Sequence, residues 1–233
     1  MQTVGDDGAR RAARLGDRTW VEAEQRPLLL VPLGSCEQHG PHLPLDTDTR
    51  IAVALAEAAA LQLDALAAPA VTITASGEHA GFAGTLSIGT EAMTTLLVEL
   101  GRSADWSAGL VFVNGHGGNA TAVAHAVRTL TAEGRAALAW WPRVPGGDAH
   151  AGLTETSLLL HLEPSVVRAH LAAPGRTEPV GELADRLVAE GVRSVSPTGV
   201  LGDPTGATAE LGRRTFDDLV DQLVVAVSSW RTP

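Results

Sequence analysis

The 233-residue chain contains no lysine and no tyrosine, and Cys36 is its only cysteine. All 17 basic residues are therefore arginines. Without lysine, the chain cannot form a Schiff base, a Ser-Lys dyad or the lysine contact of a phosphate-binding P-loop. A single cysteine excludes an internal disulfide and any metal site built from several cysteines. Acid-base and Lewis-acid chemistry must therefore come from His, Asp, Glu, Arg or a bound metal.

Positive charge is also scarce, because 27 acidic residues against 17 basic ones give a net charge of −10 at pH 7. No basic run interleaved with aromatic residues occurs, so we expect no nucleic-acid surface. The first 20 residues contain no apolar core of a signal peptide, and acidic and amide side chains interrupt the longest apolar helical stretch, residues 51–66. We therefore expect a folded cytoplasmic protein without membrane contact.

The length predicts one main domain. Residues 1–24 are polar and irregular and predict a tail or a short surface helix, so the core domain is expected over residues 25–233. Short apolar runs, typical of strands buried on both faces, alternate with helix-like segments. This alternation predicts an α/β fold with a mostly parallel central sheet. The predicted strands are 28–33, 67–74, 110–113 and 136–141, and the predicted helices are 48–66, 91–104, 119–133, 178–190 and 208–229.

Two of the predicted strands end in polar loops, where parallel sheets bind their ligands. Glu37 and His39 lie two residues apart after the first strand, so both side chains project to one side of an extended segment. Asp48 follows at the predicted start of a helix, where it could cap backbone N–H groups or reach back to the loop. His116 follows the strand 110–113. Two histidines and two carboxylates at strand ends suit a divalent ion such as Zn, Mn or Fe.

A third polar cluster spans residues 148–157. Glu155 is expected in the first turn of a helix, and His150 on the loop that precedes it. If this loop folds over the other two, Glu155 completes a two-metal set and His150 faces the substrate.

Other interpretations stay open on these residues alone. A Glu-x-His pair in a loop is often simply solvated, and Asp48 alone is typical of a helix cap. Residues 115–120 fit the GxGxxG/A pattern of a dinucleotide-binding loop, although no acidic residue ends the next predicted strand. His79 suits either the lining of the site or an ordinary hydrogen-bonded position. A metal-binding scaffold without catalysis is a further alternative.

Three segments together resemble signature motifs of the creatininase family of metal-dependent amidohydrolases: residues 32–48, 114–119 and 150–157. The resemblance spans residues 25–220 and implies a three-layer α/β/α fold, a two-metal centre of Zn, Fe or Mn, hydrolysis of a C–N bond and a homo-oligomer. Carried over by position, it implies the metal ligands Glu37, His39, Asp48, His116 and Glu155, with Asp48 as the bridging carboxylate, and His150 as a catalytic histidine. We further expect His79, Gly117 and Asn119 to contact the substrate.

One position departs from the family pattern. Creatinine-cleaving members carry an acidic ligand two residues after the histidine of the second motif, where this chain has Gly118. Glu155 would have to supply that carboxylate, which argues against creatinine as the substrate. Residues 45–50, 75–79, 148–152 and 199–205 resemble instead a peptidase branch of the family that acts in mycofactocin biosynthesis. This resemblance implies removal of a modified C-terminal Val-Tyr unit from a short precursor peptide, with creatinine or a formamide as alternative substrates.

Overall fold

A computed structural model describes residues 13–231, and its centre is a four-stranded parallel sheet. In the sheet order β2-β1-β3-β4, the strands are β1 Leu28–Leu33, β2 Leu66–Ala67, β3 Gly109–Asn114 and β4 Ala137–Trp140. Every residue of β1 and β3 is buried, as expected for strands covered on both faces. These two strands pair along their whole length. The loops that follow them therefore leave the same edge of the sheet side by side.

Helices cover both faces of the sheet, so the predicted α/β fold with a parallel sheet is confirmed. One apolar core joins the sheet to the helices Thr47–Leu63, Leu153–Leu162 and Ala209–Arg231. A second core joins its opposite face to the helices Gly89–Ser103 and Ala120–Ala132. Alternate strand residues supply the two cores, because successive side chains of a strand point to opposite faces. The helices are α1 Trp20–Ala23, α2 Thr47–Leu63, α3 Gly89–Ser103, α4 Ala120–Ala132, α5 Leu153–Leu162, α6 Val180–Glu190, α7 Val192–Val195 and α8 Ala209–Arg231.

Two predicted element bounds are wrong by three residues or more, and the other predicted strands and helices that the structure describes begin and end within two residues of their predicted bounds. The helix expected to reach residue 66 ends at Leu63, because Asp64 adopts a left-handed backbone conformation (φ 50°, ψ 51°) that terminates it. The strand expected over 67–74 is limited to Leu66–Ala67. Pro32 of β1 faces β2 but has no N–H to continue the ladder, and the chain returns to β1 only through a single bridge between Val71 and Leu33.

Residues 1–12 of the predicted N-terminal segment 1–24 lie outside the described residues. Within the rest of that segment, α1 is a single exposed turn, whereas Ala13 is buried and accepts a backbone hydrogen bond from Ala67 (2.7 Å). Arg14 forms a bidentate ion pair with Glu57 of α2. Residues 13 and 14 therefore lie against the sheet edge beside β2. Within the described part of the chain, no helix has the length and apolar character needed to cross a membrane.

Candidate metal centre

Buried carboxylates and imidazoles meet where β1 and β3 end. The loop after β1 carries Glu37 and His39, the first turn of α2 carries Asp48, and the loop after β3 carries His116. These four side chains are at most 5% exposed. Glu155, in the first turn of α5, completes the cluster at 3.9 Å from His39. The structure therefore brings all five expected ligands together from four separate segments.

Asp48 lies between two of the imidazoles. Its Oδ1 is 3.0 Å from His39 Nε2, and its Oδ2 is 3.2 Å from His116 Nδ1. The hydroxyl of Ser35 donates a further hydrogen bond to Oδ2 (2.9 Å). Of the two roles left open by the sequence, the structure shows the second: the carboxylate reaches back from α2 to the loop after β1.

Two sets of three side chains share Asp48, and each set could hold a metal ion. The first set is Glu37, Asp48 and His116, and the second is His39, Asp48 and Glu155, with ligand atoms within 4.8 Å of one another in each. Two overlapping sets extend the cluster: Glu37, His39 and His150, and Glu37, Glu78 and His79.

Glu37 provides the test of whether a cation fits. Both of its carboxylate oxygens are buried and lack a hydrogen bond of good geometry, although His116 Nδ1 and His79 Nε2 lie 3.2 and 3.3 Å from Oε1. An unsatisfied buried carboxylate is costly to a fold, and a divalent cation would satisfy it. Imidazole and carboxylate together are donors that Zn, Mn and Fe accept, so these residues fit such an ion.

Backbone carbonyls orient the imidazoles of the centre. His39 Nδ1 lies 3.2 Å from the carbonyl of Glu37, and His116 Nε2 lies 3.1 Å from the carbonyl of Ala75. A carbonyl can only accept, so each of these nitrogens carries the hydrogen. His39 Nε2 and His116 Nδ1 consequently face the carboxylates, which is the arrangement that outer hydrogen bonds give to metal-binding histidines.

The carboxylates raise the proton affinity of these histidines. Burial by itself would lower the pKa of His39, but Asp48, Glu155 and Glu37 outweigh it and raise that pKa to about 9. The pKa of His116 also rises well above its ordinary value, because Asp48, Glu37 and Glu78 outweigh its burial. Both histidines conversely overcome burial to hold the pKa of Asp48 well below its usual range. Imidazolium charge thus offsets the carboxylates, a role that a divalent cation can take over.

Gln38 fixes the orientation of His79 and His150 and was not anticipated from the sequence. Its amide nitrogen lies 2.9 Å from His79 Nδ1 and 3.2 Å from the carbonyl of Gly199, which use its two hydrogens. His150 Nε2, although only 3.0 Å from the same nitrogen, must therefore donate to the backbone carbonyl of Gln38 (2.8 Å). His150 Nδ1 is left as an acceptor, 4.0 Å from Glu37 Oε1.

Burial, followed by the charges of His39 and His79, holds the pKa of His150 well below its ordinary value. His150 is thus neutral at physiological pH and can accept a proton at Nδ1. The pKa of Glu155 is raised to about 7, mainly by burial and, against the pull of His39, by the charge of Asp48.

Two cavities meet at this cluster. The first, of about 560 Å³, is lined by Asp48, Glu155, Trp141 and Arg143, and the second, of about 870 Å³, by Glu37, Glu78 and His79. Both cavities are lined by His116, Gly117, Ala149 and His150. Gly117 and His79, two of the expected substrate contacts, therefore lie on cavity walls.

Asn119, which was expected to contact the substrate, lies instead inside the protein. Its side chain is fully buried: Oδ1 accepts from Ala75 N, and Nδ2 donates to the carbonyl of Gly34 and to Asn114 Oδ1, each at 3.1 Å. Both amide hydrogens and the amide oxygen of Asn119 are therefore hydrogen-bonded to other groups of the protein. Asn119 therefore ties together the loops that carry the site.

Glu78 was also missed from the sequence. It lies in the 3-10 turn Gly77–His79, and its Oε1 is 3.4 Å from His116 Nε2. The one available signal was its position next to His79. Its approach to His116 spans 38 residues of sequence, which no local pattern reports.

The loop at residues 115–120 does not form the cradle of a dinucleotide. Its imidazole, His116, lies against Glu37 and Asp48, and such carboxylates repel a pyrophosphate. Gly115 is required by close packing instead, since a methyl there would lie 2.9 Å from the carbonyl of Asp48 and 3.2 Å from Ala52 Cβ.

Comparisons with known proteins agree with this geometry. The family model described as creatinine amidohydrolase matches residues 16–227. The chain is 56% identical to the mycofactocin precursor peptide peptidase of Mycobacterium tuberculosis, over 99% of this chain and 93% of that protein. It is 28% identical to the creatinine amidohydrolase of Pseudomonas putida, over 66% and 73% of the two chains.

Solved structures show the same fold. A creatininase variant described as the Zn-Zn type superposes with a TM-score of 0.80 at 23% identity, over 95% of this chain and 99% of that one. The predicted resemblance is thus confirmed by a family model that covers most of the chain and by a relative that matches it almost from end to end. The chain belongs to the creatininase family.

Proposed function

We propose that this protein is a metal-dependent peptidase that releases the modified C-terminal Val-Tyr dipeptide from the mycofactocin precursor peptide. The observation that carries the proposal is the pair of potential ligand sets that share Asp48, in a chain 56% identical to a relative of that name. The lower identity of 28% to the creatinine amidohydrolase supports a peptide over creatinine.

The centre would take two divalent ions of zinc, iron or manganese. Glu37, Asp48 and His116 would hold one ion, and His39, Asp48 and Glu155 would hold the other, with Asp48 common to both sets. Gly118 leaves no acidic side chain two residues after His116, and Glu155 supplies the carboxylate of the second set. When bound, such ions lower the pKa of water and polarise an amide carbonyl.

The remaining steps belong to side chains of the protein. The imidazole of His150 is neutral, and its Nδ1 faces the centre. In this proposal Nδ1 accepts the proton released as water attacks and donates it to the departing amine. The bond from His150 Nε2 to the carbonyl of Gln38 holds the ring in this orientation. His79 and Gly117 contact the substrate from the cavity walls.

The decisive test combines metal analysis with peptide cleavage. Protein purified without chelators should contain two divalent ions per chain and should release the C-terminal dipeptide, detected by mass spectrometry. Turnover of creatinine or a formamide with no peptide cleavage would assign the alternative amidohydrolase activity. Two bound ions without hydrolysis of any amide would indicate a silent scaffold.

Asp48→Asn probes the shared ligand. Because Asp48 belongs to both sets, we expect this variant to lose bound metal and to lower kcat/KM by about 10³-fold or more. Asp46→Asn is a matched control, since Asp46 is a partly exposed carboxylate two residues away that pairs with Arg50. Full activity of Asp48→Asn with two ions bound would refute the assignment.

The expected homo-oligomer is a separate proposal that analytical ultracentrifugation would test.

A further inference from the structure

The side of His116 that is turned away from Glu37 and Asp48 faces a third carboxylate. His116 Nδ1 lies 3.2 Å from both Glu37 Oε1 and Asp48 Oδ2. On the other edge of the ring, Nε2 lies 3.1 Å from the carbonyl of Ala75 and 3.4 Å from Glu78 Oε1. Two acceptors therefore converge on one nitrogen, and both require that nitrogen to carry a hydrogen.

The approach of Glu78 depends on the glycine at position 118. A methyl built on Gly118 would overlap Glu78 Oε1, the carbonyl of Ala75 and His116 Nε2. Gly118 does not have a positive φ, so its backbone conformation would accept other residues. The glycine is needed for space, and the space it leaves is filled by the contact between Glu78 and His116.

The turn that carries Glu78 is held at both ends. His79 N donates to the carbonyl of Ser76 (3.1 Å), and Gln38 Nε2 binds His79 Nδ1 (2.9 Å). Gly191 packs against the backbone of Glu78, where a methyl would lie 3.1 Å from the carbonyl oxygen. The position of Glu78 is thus set by the fold on two sides, while its side chain stays 31% exposed and lines the second cavity.

We propose that Glu78 is a positioning residue: with the carbonyl of Ala75, it holds the hydrogen of His116 on Nε2, so that the Nδ1 lone pair faces Glu37 and Asp48. The carboxylate of Glu78 also makes the imidazole of His116 a stronger metal ligand, because a negative hydrogen-bond acceptor at one ring nitrogen raises the basicity of the other nitrogen. Glu78 acts through His116 and contributes no atom to either ligand set that contains Asp48. This inference rests on the metal centre proposed above.

Zinc affinity, measured by competition with a chromophoric chelator, tests the proposal. We expect Glu78→Gln to weaken zinc binding about 10-fold without changing the number of ions bound, since the amide oxygen can still accept from Nε2 but carries no charge. Glu78→Ala should lose more, because it removes the acceptor. Restoration of part of the affinity by glutamine distinguishes positioning from a general loss of structure.

Gly118→Ala should weaken zinc binding with Glu78 intact, because the added methyl overlaps Glu78 Oε1, the carbonyl of Ala75 and His116 Nε2. Its loss should exceed that of Glu78→Gln, because the methyl also displaces the carbonyl of Ala75 and the ring of His116. Gly77→Ala is the matched control, since a methyl there meets no atom within 4 Å, and it should leave zinc affinity unchanged. Denaturant unfolding of each metal-free variant checks that the fold persists.

Two results would overturn the proposal. Unchanged zinc affinity in Glu78→Gln would remove the role of Glu78, and loss of one whole equivalent of zinc would make it a direct ligand. Absence of zinc binding by the unaltered protein would instead refute the metal centre itself.

Discussion

At the scale of single residues, the centre is a group of like charges kept close together. Glu37 and Glu155 each offer a carboxylate oxygen within 4.8 Å of one on Asp48, and carboxylates at such distances repel strongly in a buried setting. His39 and His116 reduce this repulsion by holding protons more tightly than free histidines. Protons and metal ions therefore compete for the same nitrogen atoms, and this competition makes zinc affinity depend on pH.

Zinc binding should strengthen as pH rises. The pKa of His39 is raised to about 9, so at pH 7 its ring carries a second proton that a metal ion must displace. Each displaced proton makes the apparent affinity rise by up to about 10-fold per pH unit, and this gain should level off above pH 9. Glu155, with its pKa raised to about 7, adds a further proton below neutral pH.

Chelator competition between pH 6 and 9 measures this dependence. Calorimetry in two buffers of different ionisation enthalpy at pH 7.5 counts the protons released on zinc binding. Apparent affinity that stays constant from pH 7 to 9, with no proton release, would show that His39 Nε2 does not bind the ion.

At the scale of helices and strands, apolar runs were sufficient to predict the centre of the sheet. The run at 28–33 and the run at 110–113 are strands because every residue in them can be buried on one face or the other. Boundaries failed where single backbone conformations decide them. Asp64 ends α2 by adopting a positive φ, and Pro32 of β1 has no N–H with which to extend the pairing with β2. Neither effect alters the apolar pattern that surrounds it.

The site, like the fold, was predictable from the sequence only in part. Glu37, His39 and His116 follow strands that are neighbours in the sheet, so their meeting follows from topology. Gln38, Glu78 and the structural role of Asn119 depend on how loops 38 to 44 residues apart pack on each other. Such contacts are set by side-chain fit in three dimensions, which a single sequence does not display.

Gly34, the residue that follows β1, packs directly against the first turn of α2. A methyl on Gly34 would overlap the side chain and backbone of Thr49 in the first turn of α2. The carbonyl of Gly34 also accepts hydrogen bonds from Thr74 Oγ1 (2.7 Å) and Asn119 Nδ2 (3.1 Å). A change at this glycine must therefore move the loop that carries Glu37 and His39 away from the turn that carries Asp48.

We expect Gly34→Ala to destabilise the fold by about 1–3 kcal/mol, the usual cost of overpacking, and to weaken zinc binding at the same time. Guanidinium unfolding of the metal-free protein and chelator competition measure the two effects. Gly16→Ala is a suitable control, because a methyl there meets no atom within 4 Å. A stable Gly34→Ala variant with normal zinc affinity would show that β1 and α2 tolerate separation without disturbing the site.

At the scale of the whole molecule, the two cavities differ in how far their arginines are engaged. Each cavity is lined by one arginine among three carboxylates, and Arg193 of the second cavity donates to the carbonyl of Gly81 and lies over the ring of Phe82. The first cavity contains Arg143, which forms no ion pair with any residue in the range 13–231 that the structure describes. Trp141, Pro142 and Val144 add apolar surface beside it. A free C-terminal carboxylate of a peptide can therefore pair with Arg143 in the first cavity.

Arg143→Gln tests whether the first cavity receives the C-terminal end of the substrate. Hydrogen bonds from arginine to a carboxylate contribute about 1.5–3 kcal/mol, so we expect KM for the free-acid peptide to rise about 10-fold or more while kcat changes little. The same peptide with a C-terminal amide should be cleaved poorly by the unaltered protein, and the variant should handle it no worse. Arg128→Gln, at an exposed position on α4 that lines neither cavity, should match the unaltered protein with both peptides. An equal loss with the acid and the amide would show that Arg143 supports the cavity wall without binding the carboxylate, since only a direct charge contact distinguishes the two substrates.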